Sequence, residues 1–93
     1  MFVHLSIHYP KKGQEKFIID SMHRFGAAIK GKPGNFDAHT LKDETTGCLI
    51  GIAAWASKEQ WQAARPAMIE AVKNDDFDAW EDRPPDVFHL NEV

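Results

Sequence analysis

Cysteine is nearly missing from this chain: Cys48 is the only one in 93 residues. No internal disulfide can form, and the fold must be held by packing alone. The neighbours of Cys48 supply no base, so a buried or strand-edge thiol is expected there rather than a nucleophile. No stretch approaches the ~20 consecutive apolar residues of a membrane span. A strand pattern opens the chain where a charged and then apolar leader would stand, so the expected location is the cytoplasm, with no membrane partner. Strong charge of one sign is also absent. Residues 1–46 hold seven Lys/Arg against five Asp/Glu, residues 47–93 hold four against nine, and the net charge is −3. Neither half is basic enough to suggest nucleic acid. Lys30-Gly31-Lys32 reads as a solvated helix exit, its ammonium groups near the negative end of the helix dipole. There is no internal repeat and no low-complexity segment.

What is present describes an ordinary globular chain. Hydrophobic residues make up 43% and charged residues 27%, which excludes wholesale disorder and fibrous repeats. A chain of this length buries roughly 60 to 65% of its unfolded surface, so residues 1–93 are read as one domain with one core.

The opening residues alternate. Val3, Leu5 and Ile7 are apolar while His4, Ser6 and His8 are polar, the period of a half-buried strand. After the Pro10–Gly13 loop, Ile18, Met22, Phe25 and Ile29 recur at helical spacing, with Phe17 widening the stripe, so a helix is predicted over 14–30. Gly31-Lys32-Pro33-Gly34 ends it. Residues 35–42 and 48–55 flank the polar turn 43–47, the pattern of a hairpin. Gly51, Ala53 and Ala54 on the second of these strands leave space above the sheet.

Ser57-Lys58-Glu59-Gln60 fits a capping box, and Trp61, Ala64, Met68 and Val72 mark the apolar side of the helix it opens. Pro66 is expected to divide that helix into 58–65 and 66–74. Five acids between Asp75 and Asp82 are interleaved with Phe77 and Trp80. This segment reads as a surface turn whose aromatics close one end of the core. Pro84-Pro85 stops it, and 86–92 forms a last strand.

The order β-α-β-β-α-β is that of an α+β, ferredoxin-like sandwich with two helices on one sheet face. Right-handed crossovers give the spatial strand order 4-1-3-2. The other face carries Val3, Leu5 and Ile7 with no helix to cover it, so a homodimer packing sheet on sheet is expected.

These residues resemble the antibiotic biosynthesis monooxygenase-like family of dimeric α/β barrels. The likeness lies in the opening strand with its Pro and Gly, the Lys32-Pro33-Gly34-Asn35 loop, and above all Trp55-Ala56-Ser57-Lys58-Glu59-Gln60-Trp61. It implies the same fold and dimer, with a pocket between sheet and helices. Some members of that family oxygenate phenolic polycyclic compounds with neither metal nor flavin, and others degrade haem. The haem-degrading relatives use an Asn on strand one with a Trp and a His on or near helix two. Ser6 falls at the Asn position, and residues 57–74 contain no His, so haem chemistry is disfavoured.

The candidate catalytic residues are His8, His4 and Ser6, which period two and the resemblance put on the helix-facing side. A neutral imidazole can take a phenolic proton near pH 7, and Ser6 can donate to the resulting oxyanion. Trp55, Trp61, Met68 and Phe25 are the candidate walls for a small aromatic or polyketide-like substrate. No cofactor is implied. Four strand steps separate His4 from His8 by about 13 Å against a Zn–N bond of ~2 Å, so one metal cannot join them. His89 pairs with either in the proposed strand order, with no evident third ligand. His39 cannot be assigned to a face, and His23 reads as a surface residue. The competing reading is a non-enzymatic small-molecule-binding or structural dimer whose histidines are satisfied by water or backbone.

Overall fold

The computed structural model describes residues 1–93. Its elements are β1 (Phe2–His8), α1 (Glu15–Ile29), β2 (Asn35–Lys42), β3 (Leu49–Trp55), α2 (Lys58–Val72), α3 (Phe77–Trp80) and β4 (Asp86–Asn91). The four strands form one antiparallel sheet ordered β2-β3-β1-β4, as expected for the α+β, ferredoxin-like arrangement. No helix is long and apolar enough to cross a membrane.

Register decides which side chains meet. His4 lies opposite Ala53 and Ser6 opposite Gly51, while on the other side of β1 His4 lies opposite His89 and Ser6 opposite Val87. Directly opposed residues share a face, so Phe2, His4, Ser6 and His8 stand with Leu49, Gly51, Ala53 and Trp55 beneath the helices. Ala54 pairs with Val3 and belongs to the opposite face. Of the three small residues expected to leave space, only Gly51 and Ala53 therefore do so.

Only 12 of the 93 residues are buried, and every buried sheet residue (Phe2, His8, Leu49, Ala53 and Trp55) lies on the helix side. The reverse face carries Val3, Leu5, Ile7, Ile50 and Ile52, together with the exposed Leu41, Phe88 and Leu90. His39 pairs with Ile52 and stands on this open face, near Asp37.

The core is packed toward one end. Phe2, Ile29, Ala53, Trp55, Trp61, Ala64 and Met68 form one cluster. The α1 stripe spans the sheet, with Ile29 in that cluster and Ile18 buried at the far end. Phe17 is exposed but stacks on Trp80, with ring centroids 5.5 Å apart.

Two local expectations are revised. Pro66 lies inside a continuous α2 because it and Gln62, whose carbonyl loses its donor, are both on the exposed side where water satisfies that carbonyl. At the start of α2, Ser57 Oγ accepts from Gln60 N–H at 3.2 Å, but Gln60 does not reach back to the backbone. Its Oε1 instead accepts from the Ser57 hydroxyl at 3.1 Å.

That side chain explains Gly34, whose φ is +82° and where an added Cβ would overlap the Gln60 carboxamide. The carboxamide can swing aside, but the backbone strain remains. Gly34→Ala is expected to destabilise the fold by about 1–2 kcal/mol, read as a lower urea midpoint at unchanged m-value.

Candidate functional site

The small residues of β3 leave a cavity of about 750 Å³ between the sheet and α1. Its floor is His4, Ser6, His8, Gly51 and Ala53, and its roof is Met22, Phe25 and Gly26 of α1. Val72, Phe77 and Val87 also line it, together with Phe36 and Thr40 of β2. At the centre Gly51 allows Ser6 and Met22 to close in over β3, since an added Cβ would lie 2.9 Å from Ser6 Oγ and 3.0 Å from Met22 Cε.

Along the floor runs a hydrogen-bond chain. His8 Nδ1 is 2.9 Å from Glu81 Oε1, and His8 Nε2 is 3.1 Å from Ser6 Oγ. An ionised carboxylate only accepts, so Nδ1 carries the proton in the neutral ring and Nε2 accepts from the Ser6 hydroxyl. Glu81 is 5% exposed and also accepts from the Tyr9 N–H at 3.2 Å. Its second oxygen, Oε2, is buried without a hydrogen-bond partner. Phe77 stacks on His8, with ring centroids 6.0 Å apart. The segment around α3 is held against the end of β1 by Lys11 N–H to Trp80 C=O and Asp82 N–H to Tyr9 C=O, both 2.8 Å.

His4 occupies a different setting. Its ring packs against His89, Trp61 and Phe25 at 5.3, 5.6 and 6.0 Å. Burial, reinforced by the nearby charges of His89, Arg65 and His8, lowers its pKa to about 4. His4 is therefore neutral near pH 7 and a weak base, while His8 is the imidazole with a carboxylate behind it.

Of the expected wall residues, Phe25 lines the cavity and Trp55, Trp61 and Met68 do not. Those three are drawn into the core cluster beside Phe2, because Trp55 stands at the strand end where α2 closes down and is 0% exposed. Met22, Phe77 and Val72 take their place as walls. Glu81 escaped the sequence reading: it is 73 residues from His8 and was hidden among five acids. It directly follows Trp80, but Asp78 likewise follows Phe77, so nothing local distinguishes it. No three His, Cys, Asp or Glu side chains are grouped to hold a metal ion.

Comparison with solved structures gives this geometry a context. Rv0793 from Mycobacterium tuberculosis superposes with a TM-score of 0.84 over 99% of this chain and 94% of its own, at 12% identity. An antibiotic biosynthesis monooxygenase matches with a TM-score of 0.78 over 100% and 99%, at 11% identity. A mutant of SnoaB, a cofactor-independent oxygenase from Streptomyces nogalater, matches with a TM-score of 0.71 over 99% and 94%, at 14% identity. The chain has the antibiotic biosynthesis monooxygenase-like fold. At these identities the likeness is one of fold, and it supports the resemblance read from the residues. No protein-family model and no curated protein matches the sequence.

Within the monooxygenase-like fold, the depressed pKa of His4 makes stability depend on pH. Between about 4 and the ordinary value of 6.5 the unfolded chain binds a proton that the folded chain does not, so stability falls as pH falls through that window and is fully present above it. Allowing for the partial exposure of the ring, the loss is about 2 kcal/mol. Denaturant titrations at pH 7 and pH 4.5 are expected to show it, and His4→Gln is expected to reduce the difference.

Proposed function

We propose that this chain is a cofactor-independent oxygenase of small phenolic or polyketide-like aromatic molecules, working in the cytoplasm as a homodimer of single-domain protomers. The observation that carries the reading is the His8–Ser6 chain on the floor of an apolar cavity large enough for a drug-sized ligand, in a fold shared with a cofactor-independent oxygenase.

The chemistry requires a base, an anion site and a dry aromatic slot. His8 removes the proton from a phenol or from the activated carbon beside a ring carbonyl. Ser6, hydrogen-bonded to Nε2 and likewise lining the cavity, relays that proton, and Glu81 stabilises the imidazolium that results. The electron-rich anion left behind reduces dioxygen by one electron. The radical pair then combines to a peroxide at carbon. When an activated CH₂ becomes a carbonyl, one oxygen atom stays on the substrate and the other leaves as water with the two hydrogens of that carbon. Met22, Phe25 and Phe77 supply apolar contacts around the ring. His4, neutral and wedged beside Trp61, shapes the far wall and offers a hydrogen bond without charge.

The dimer follows from the uncovered sheet face. Val3, Leu5 and Ile7 of the inner strand β1, with Ile50 and Ile52 beside them, form a continuous apolar surface in the isolated protomer. A second copy of the same face is the self-complementary cover, as a twofold interface requires. Leu5→Asp is expected to convert a dimer into a monomer in sedimentation equilibrium, whereas a wild-type monomer would remove this assembly.

Oxygen uptake with a panel of anthrones and hydroquinones tests the reaction. His8→Ala is expected to lower kcat by about 10²- to 10⁴-fold, and His4→Gln by less than about tenfold. Equal rates for His8→Ala and wild type would refute His8 as the base.

A further inference from the structure

The Glu81–His8–Ser6 chain has the connectivity of a serine nucleophile site: carboxylate on Nδ1, hydroxyl on Nε2. We propose that the cavity also performs acyl transfer from activated aryl esters, with Ser6 as the nucleophile, His8 as its base and Glu81 as the residue that positions His8. The proposal stands on this geometry and needs no oxygen, so it is independent of the oxygenase reading.

Two further features fit it. The carboxylate is buried and spends both of the bonds made by Oε1 on the end of β1, which fixes the imidazole tautomer with its lone pair toward Ser6. Gly51, the cross-strand neighbour of Ser6, lets the serine oxygen lie close over β3, since a Cβ there would meet it.

In the first half-reaction Ser6 Oγ bonds to the ester carbonyl carbon and its proton passes to His8 Nε2. The tetrahedral adduct then collapses, breaking the bond to the aryl oxygen, which leaves as a phenol with the proton from His8. In the second half, water attacks the acyl-serine, gives its proton to Nε2, and the departing Ser6 oxygen recovers it. Ester and water become carboxylic acid and phenol, and no group changes oxidation state.

The test uses the full chain under nitrogen with p-nitrophenyl acetate, following p-nitrophenol release and mapping the acetyl adduct by mass spectrometry. The expected result is a burst of about one phenol per chain with the acetyl group on Ser6. Ser6→Ala, which removes only the hydroxyl bonded to His8, is expected to abolish the burst and lower turnover by at least about 10²-fold. Ser6→Cys is expected to retain adduct formation. Glu81→Gln is expected to slow acylation and to change the His8 tautomer seen in ¹⁵N NMR shifts, a readout that a merely structural carboxylate would not move. Acetylation elsewhere with Ser6 unmodified, or wild-type turnover by Ser6→Ala, would overturn the proposal, whatever the oxygen-uptake experiment shows.

Discussion

The pairing of β1 with β3 fixes nearly everything else in this molecule. Period two gives β1 two unlike faces, and the antiparallel register sets Ser6 against Gly51 and His4 against Ala53. A slip of one residue would send the imidazoles to the open face and bury Val3, Leu5 and Ile7 beneath the helices. The cavity would vanish, because the aliphatic side chains would fill the space over the small residues of β3. The cavity and the uncovered apolar face are two consequences of one register.

Under the helices, size grades along the strands. Phe2 and Trp55 at one end pack with Trp61, Ala64 and Met68 into the core, whereas Ser6 and Gly51 lie where the side chains are smallest. α1 bridges both regions, so its stripe serves packing at Ile18 and Ile29 and lines the void at Met22 and Phe25. The protein concentrates its hydrophobic burial at the Trp55 end and tolerates an opening beside it. Stability and a binding space are thus divided along a single helix rather than competing for the same residues.

Much of this was legible in the sequence because the governing signals are local. Alternation in residues 2–8, the Ile18-to-Ile29 stripe, the hairpin turn ending in Gly47 and the Ser57 cap each depend on a few neighbours, and each element lies within a residue or two of its expected bounds. Strand order followed from chirality. What escaped depends on depth or on long-range contact. Trp55 and Trp61 are the same residue type whether they line a pocket or fill a core, and only the closing of α2 on the sheet decides. Pro66 was read as a break because sequence does not show that its side of the helix faces water. Glu81 was one acid among five until the fold brought it to His8.

The hydrogen bond between Glu81 and His8 closes a loop of 73 residues, nearly the whole length of the chain, and closing so long a loop carries a large entropic penalty that only late, long-range contacts can offset. During synthesis the first strand leaves the ribosome long before the carboxylate that completes its histidine. A chain ending before Glu81 would hold a helix, a hairpin and an imidazole without its carboxylate partner, so the floor of the cavity is finished only once residue 81 has been added.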